Sequence, residues 1–269
     1  MKKYKQSQID LANNTASYST IFWNGWLEDP PETPKQALLN FLHNYAYERQ
    51  GAAQSYRTLA NLAINQKFKD EITSITKKDA EKAWKIYNDI AKDKYHEPKL
   101  NETHNPMKSD KGVLRRLSQE KAVNLYTYTR DLLSSNQVPA AYKFINSIRG
   151  VGDKITCLYL RDIAHRHLET DRHYHPHFQP IDTWVEQALK IILGDKYKAK
   201  KHDIIELCRQ AGCSPLDFNA GAWVAGNAIA RDYGRLQEIL NDPEEGKKLI
   251  DYRIKEQERR TASMKKWIN

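Results

Sequence analysis

Two glycines separated by one residue, between two apolar helical patterns, constrain this chain more than any other stretch. The flanking apolar residues are spaced to bury one side of two short helices, and they are Ile145, Ile148 and Val151. Gly150 and Gly152 suit a sharp turn, because a residue without Cβ can adopt a positive φ and lets another group approach closely. The stretch therefore predicts a helix, a tight hairpin and a second helix over residues 139–166.

Helical spacing of apolar residues recurs along most of the chain, whereas the alternating pattern of strands is nearly absent. Thr33-Pro34, Thr76, Ser118 and Asp182 are predicted helix starts, each a residue type that commonly caps a helix. The helix after Asp182 is predicted to stop at Gly194. We therefore predict an all-α fold over residues 1–269.

Both ends of the chain carry their own patterns. Residues 1–33 lack clear helical periodicity, and with Trp23, Trp26 and a Pro-Pro pair they predict an extended N-terminal arm laid on the domain. One long helix is predicted over 216–240. The acidic start of residues 243–269 predicts a C-terminal helix and tail, because acids in the first turn favour a helix.

Composition narrows the class of protein. The 269 residues carry a net charge of +9, which favours a polyanionic partner. No run of about 18 apolar residues exists, so we expect no membrane span, and no apolar run follows the first residues as in a signal peptide. Three cysteines are too few for a disulfide scaffold, which indicates a reducing compartment. We expect a cytoplasmic monomer, nucleoid-associated if it is prokaryotic.

The predicted hairpin has the chemistry of an anion site. The N–H groups around Gly150 and Gly152 would lie at the start of the second helix, where a phosphate is favoured. Arg149 would add positive charge beside that phosphate, so these three residues are candidate contacts to a DNA backbone. The hairpin is also a candidate site for a monovalent cation. The plain alternative is an ordinary turn between two helices.

Lys154 and Asp182 would turn such a clamp into an active site. Lys154 lies in the first turn of the second helix, where the positive helix end and partial burial would oppose protonation of an amine. A neutral amine can attack a sugar C1′ and form a Schiff base. Asp182 fits a helix N-cap, and its charge could stabilise an oxocarbenium-like centre or relay a proton. Alternatively, Lys154 only touches phosphate and Asp182 is only a cap.

These residues resemble a known family. The pattern I-x-G-V-G-x-K from Ile148, followed by P-I-D-T from Pro180, resembles the helix-hairpin-helix DNA glycosylases. The resemblance implies two helical lobes with the active site in the cleft between them, a base flipped out of damaged double-stranded DNA, and a lysine that marks bifunctional glycosylase/AP lyases. The chain departs from the family pattern at Trp184, where histidine is common, and in the 28 residues from Lys154 to Asp182, a long separation. The four-cysteine iron–sulfur loop of one branch is absent, so no cofactor is expected.

Two further segments look like the base pocket of the archaeal-type 8-oxoguanine glycosylases. They are the segment around Glu48 and the pair Asn219 and Trp223, which share a helix face at i and i+4. The resemblance implies that Asn219 binds a base edge, Trp223 stacks on the base, and Glu48 and Trp184 complete the pocket. The family usually has Gln at the first position and Asp at the second, so the amide and the acid are exchanged. Alternatively, Trp223 is a core residue.

A group of histidines between the two motifs is a weaker feature: His165, His167, His173, His175 and His177. The alternation of the last three would put them on one side of an extended segment, which makes zinc a candidate, but we predict no metal site and favour a solvated loop. The sequence as a whole predicts a base-excision-repair glycosylase with AP lyase activity on an oxidised purine such as 8-oxoguanine. The alternatives are a non-catalytic helix-hairpin-helix DNA-binding protein and a monofunctional glycosylase for another lesion.

Overall fold

The fold is all-α, as the sequence predicts. The structure, a computed structural model, describes residues 3–47, 54–95 and 104–252 together with residues 255 and 259. Over these residues the regular structure is helical and no strand occurs. None of the helices in the described ranges is long and apolar enough to cross a membrane.

The described helices of the first half are α1 Gln6–Ser17, α2 Ser19–Gly25, α3 Pro34–Phe41, α4 Gln54–Lys67, α5 Lys77–Tyr95, α6 Val113–Glu120, α7 Leu125–Ser134 and α8 Val138–Asn146. Those of the second half are α9 Asp153–His167, α10 Thr183–Leu193, α11 Lys201–Ala211, α12 Pro215–Trp223 and α13 Tyr233–Asn241. Residues 243–252 are also helical. Wider π-helical turns extend α3 over Leu42–Ala46 and α12 over Val224–Ala230.

Side-chain caps explain several of these starts. Thr33 accepts a hydrogen bond from the N–H of Gln36, with Pro34 in the first turn, so the predicted start of α3 is confirmed. Thr76 and Asp79 exchange bonds at the start of α5, which is also as predicted. The predicted cap at Ser118 is wrong, because Ser118 lies inside α6.

The helix predicted to follow Ser118 begins later. Asn124 accepts hydrogen bonds from the N–H groups of Tyr126 and Thr127 and thereby caps α7. An amide oxygen satisfies first-turn donors as well as a hydroxyl does, so a nearby Ser was not the only candidate for this start.

Contacts between Cα atoms divide the chain into two compact units. The first, the terminal unit, joins residues 1–27 to residues 174–269, and the second, the central unit, is residues 28–173. The terminal unit thus draws its helices from both ends of the chain.

Helix α1 lies in the middle of the terminal unit, against α10, α11, α12 and α13. Its buried residues are small: Ala12, Thr15 and Ala16. The backbones of α1 and α12 lie so close that a Cβ built on Gly221 of α12 would be 1.9 Å from the backbone oxygen of Thr15. Only small residues therefore fit between the two helices. The prediction of an extended arm over residues 1–33 is therefore wrong. Because α1 and α12 approach closely, α1 lacks the large apolar side chains whose spacing would have indicated a helix.

The predicted single helix over 216–240 is wrong as well. The π-helical turn ends at Arg231, which has a φ of 67°, and Asp232 then caps α13 by accepting from the N–H of Arg235. Left-handed conformation at a non-glycine residue is not signalled by apolar spacing.

In the central unit, α9 packs on α7, α8 and the π-helical turn. The buried contact is polar: Arg161 Nε donates to Asp162 Oδ1 at 2.8 Å, and the Tyr45 hydroxyl donates to Asp162 Oδ2 at 2.9 Å. Burial raises the pKa of Asp162, while Arg161 and Tyr45 oppose that shift. This network fixes α9 to the turn after α3.

Candidate functional site

The predicted hairpin is present between α8 and α9, in the central unit. Ile145, Ile148 and Val151 are buried, as their spacing predicts. Gly150 has a φ of 77°, a left-handed conformation that residues with a Cβ seldom adopt. The turn then closes with a hydrogen bond from the Val151 N–H to the Ile148 carbonyl, 3.0 Å long.

Gly152 has a different role from Gly150. It is the N-cap of α9 with an extended backbone, at a φ of −97° and a ψ of −178°, which any residue can adopt. A Cβ built at this position would meet nothing within 4 Å. Neither conformation nor crowding within the protein therefore requires glycine here. The start of α9 also has no side-chain cap, although the first amides of an α-helix have no acceptor within the helix.

Arg149 is held by the loop before α6. Its Nε donates to Asp110 Oδ1 at 3.1 Å, its Nη2 bonds the other carboxylate oxygen, and its backbone N–H donates to the Lys111 carbonyl at 2.8 Å. Burial acts to raise the pKa of Asp110, but the hydrogen bonds from Arg149 and Lys111 lower it overall. The Arg149 side chain is 18% exposed and its guanidinium is paired with Asp110, so it stabilises the turn more than it presents charge to solvent.

Lys154 is exposed at the second position of α9. The prediction that Lys154 is partly buried is wrong, because the uncrowded start of the helix leaves its side chain in solvent. Its neighbour Asp153 accepts a hydrogen bond from the Tyr142 hydroxyl at 2.8 Å, and burial together with this bond raises the pKa of Tyr142. The hairpin therefore presents an amine next to a carboxylate that is already engaged.

Asp182 is the N-cap of α10, as predicted, and it belongs to the terminal unit. One carboxylate oxygen, Oδ1, accepts both cap bonds, from the N–H of Trp184 at 2.9 Å and from the N–H of Val185 at 2.8 Å. No described residue donates a hydrogen bond to Oδ2. A single oxygen thus orients the side chain and leaves the other as an acceptor. Lys154 and Asp182 lie in different compact units.

Trp184 packs within the terminal unit against the π-helical turn after α12. A Cβ built on Gly226 would lie 2.3 Å from Cδ2 of the Trp184 ring, so the ring rests on bare backbone. Its contact in the structure is therefore with the protein core.

Asn219 is fully buried in α12. Its Nδ2 donates to the side-chain oxygen of Gln179 and to the carbonyl of Pro215. Its Oδ1 is buried and has no hydrogen-bond partner among the described residues. The amide hydrogens of Asn219 are therefore used inside the protein, and only the acceptor remains. Gln179, 40 residues away, is the partner that sequence reasoning missed.

Trp223 joins an aromatic cluster formed with helix α2. Its ring meets the edge of Phe22 at 5.8 Å and of Trp26 at 4.6 Å between centroids. Trp26 is 46% exposed, so the cluster reaches the surface of the terminal unit. The i, i+4 spacing of Phe22 and Trp26 is the sequence signal for this cluster, but the prediction of an extended arm does not use it. The remaining predicted pocket residue, Glu48, lies outside the described residues.

The histidines lie on two short 3₁₀ turns, Thr170–His173 and Pro176–Phe178, and on the end of α9. His175 Nδ1 accepts from the N–H of His177 at 3.1 Å and so caps the second turn. Burial and the nearby His177 lower the pKa of His175. Among the described residues no group of three or more His, Cys, Asp or Glu could hold a metal ion.

Comparison with known proteins gives one partial likeness. No protein-family model matches the chain, and no solved structure matches it. Among curated proteins it is similar to Uncharacterized protein MJECL21 of Methanocaldococcus jannaschii, with 36% identity over 77 residues. The matched segment is 28% of this chain and 18% of the length of that protein.

Proposed function

We propose that this protein is a DNA glycosylase with AP lyase activity, in which Lys154 is the nucleophile. The observation that carries the proposal is the start of α9, where a helix N-terminus without a side-chain cap, an uncrowded Gly152 and an exposed Lys154 follow one another. Backbone N–H groups at such a helix start favour a phosphate. The amine of Lys154, in the same first turn, would then lie near the sugar that this phosphate carries.

The chemistry assigned to Lys154 is attack of its amine, after loss of a proton, on C1′ of the damaged nucleotide. The base leaves with the electrons of the glycosidic bond and takes up a proton, so C1′ is then bonded to the lysine nitrogen. The C1′–O4′ bond of the sugar breaks and a proton passes from that nitrogen to O4′, which gives the imine. The imine permits β-elimination of the 3′ phosphate. Asp182 supports base departure because its Oδ2 is left as an acceptor by the cap geometry.

The proposed substrate is an oxidised purine, with 8-oxoguanine as the first candidate. Support comes from Trp223, whose aromatic cluster reaches the surface and can offer a ring to a base. Asn219 gives this substrate no support, because its side chain is fully buried and its amide donates inside the protein.

Borohydride trapping on an 8-oxoguanine duplex tests the nucleophile. We expect the wild-type protein to crosslink covalently to DNA, Lys154→Gln to lose the crosslink, and Lys143→Gln to retain it. Lys143 is an exposed lysine at the end of α8 and controls for the loss of one positive charge near the hairpin. Undiminished trapping by Lys154→Gln would refute the assignment.

Asp182→Asn tests the carboxylate. Asparagine caps a helix about as well as aspartate, so stability and DNA binding should stay close to wild type. Loss of the charge should slow base excision about a hundredfold or more, which is the usual size of such contributions. Unchanged turnover would remove Asp182 from the mechanism.

The exposure of Lys154 also favours a second candidate, a non-catalytic helix-hairpin-helix DNA-binding protein. In that protein Lys154 would contact a phosphate, and binding would weaken steeply with salt. It predicts neither excision nor strand cleavage. Excision without trapping would instead identify a monofunctional glycosylase.

A further inference from the structure

Two cysteines face each other where α11 ends, in the terminal unit. Cys208 lies in the last turn of α11, Gly212 follows with a φ of 71°, and the N–H of Cys213 donates to the Cys208 carbonyl at 3.1 Å. A left-handed residue followed by this fold-back bond is the usual way to end a helix, and it brings the two bonded residues into side-chain contact. Here both contacting residues are cysteines.

The two thiols differ in environment. Cys208 is completely buried, whereas Cys213 is partly exposed. A hydrogen bond from Cys208 lowers the pKa of Cys213, with burial opposing the shift, whereas burial raises the pKa of Cys208. The pair therefore combines one thiol that ionises more readily near solvent with one protonated thiol beneath it.

The surroundings hold the turn in place. The Tyr174 hydroxyl donates to the Cys213 carbonyl at 2.9 Å, and the guanidinium of Arg209 lies 5.3 Å from the centroid of the Tyr174 ring. The next residue, Ser214, caps α12 by accepting from the N–H of Leu216. Cys213 thus lies just before a helix start, and the positive end of a helix favours a thiolate.

We propose that Cys208 and Cys213 form a site of reversible thiol oxidation that reacts with hydroperoxides and closes to an intramolecular disulfide. The Cys213 thiolate attacks the peroxide oxygen, which gives a Cys213 sulfenic acid and releases the alcohol or water after protonation. The Cys208 sulfur then attacks the sulfenic sulfur, an S–S bond forms, and water leaves. In total, two thiols are oxidised and one hydroperoxide is reduced.

The disulfide would act on the connection that leads into α12. It would tie the last turn of α11 to the residue before the Ser214 cap, so the start of the helix that carries Asn219 and Trp223 would be tethered. A dithiol reductant reverses the reaction by thiol–disulfide exchange. The inference does not depend on the proposed glycosylase activity.

Thiol counting in the full-length protein tests the proposal. After hydrogen peroxide treatment, denaturation and alkylation, we expect free thiols to fall from three to one, with dithiothreitol restoring all three. Peptide mapping should show a link between Cys208 and Cys213 within one chain. Three free thiols after treatment, or a link between two chains, would overturn the proposal.

Variants assign the order of the two steps. Cys208→Ala should stop at a Cys213 sulfenic acid that dimedone traps, and Cys213→Ser should form no bridge. Cys157→Ser is the matched control, because Cys157 is buried in the central unit. In this variant the Cys208–Cys213 disulfide should form as in the wild type. Dimedone labelling of Cys157 rather than Cys213, or direct oxidation of Cys213 to a sulfinic acid with Cys208 still present, would contradict the mechanism. The wild-type thiol count decides the outcome even if a variant does not fold.

Discussion

The two hairpin glycines should respond in opposite ways to the same added methyl group. Gly150 has a left-handed backbone, whereas Gly152 has an extended one with open space around it. Gly150→Ala therefore tests the fold of the turn. Gly152→Ala tests what approaches the turn from outside, because nothing inside the protein requires glycine there.

The structure sets the size of both effects on stability. A residue with a Cβ in left-handed conformation costs about 1–2 kcal/mol, so Gly150→Ala should lower the free energy of unfolding by that amount. The Tm should then fall by about 2–4 °C per kcal/mol. Gly152→Ala should change stability by less than about 1 kcal/mol, because the smaller number of conformations in the unfolded chain is opposed by the lower preference for alanine at a helix N-cap.

DNA binding should show the reverse order. A methyl group at Gly152 would stand between the first amides of α9 and a phosphate, and it would remove a hydrogen bond to a charged group worth about 1.5–3 kcal/mol. The Kd for duplex DNA should therefore rise about tenfold to a hundredfold. The Kd of correctly folded Gly150→Ala protein for duplex DNA should be closer to the wild-type value than that of Gly152→Ala.

Urea denaturation and fluorescence anisotropy at one fixed salt concentration measure the two quantities. If Gly152→Ala binds DNA as tightly as wild type, the hairpin amides do not contact phosphate, and the functional proposal loses its main support. If Gly150→Ala is as stable as wild type, the left-handed turn does not constrain residue 150.

Two further predictions concern stability. Gly226→Ala should cost about 1–3 kcal/mol by overpacking, since its Cβ would meet the Trp184 ring, whereas Gly25→Ala, with nothing within 4 Å, should cost nothing measurable by thermal unfolding. Burial acts to raise the pKa of Asp79, but hydrogen bonds from Lys67 and Thr76 lower it overall. Asp79 should therefore stabilise the fold above its unfolded pKa of about 3.9 and lose that effect as the pH falls through the lowered folded value. Denaturation of Asp79→Asn across this range should show a flatter pH dependence, and an unchanged slope would refute the assignment.

Local signals in the sequence predicted local structure well. Thr33 and Asp182 cap the helices they were expected to cap, because a cap depends on a residue and the amides that follow it within one turn. The hairpin could also be predicted, because the spacing of its apolar residues and the positive φ of Gly150 are local features of the chain.

Features that depend on distant partners could not be predicted in this way. Arg149 was expected to face a phosphate, but its partner Asp110 is 39 residues away. Asn219 was expected at a base edge, but its amide donates to Gln179, 40 residues away. Helix α1 was not predicted because its buried residues are small, and they are small because α1 packs closely against α12, more than 190 residues later.

The discontinuous terminal unit has a consequence for biosynthesis. Residues 1–27 are made before the helices against which α1 packs, which belong to residues 174–269. Domains generally fold as units while the chain is being synthesised, so the continuous central unit can fold while α1 still waits for its partners. During that interval Phe22 and Trp26 lack the Trp223 ring against which they pack in the folded protein. A stalled or truncated chain would therefore present an aggregation-prone segment at residues 1–27, and chaperone capture of nascent chains should be concentrated there.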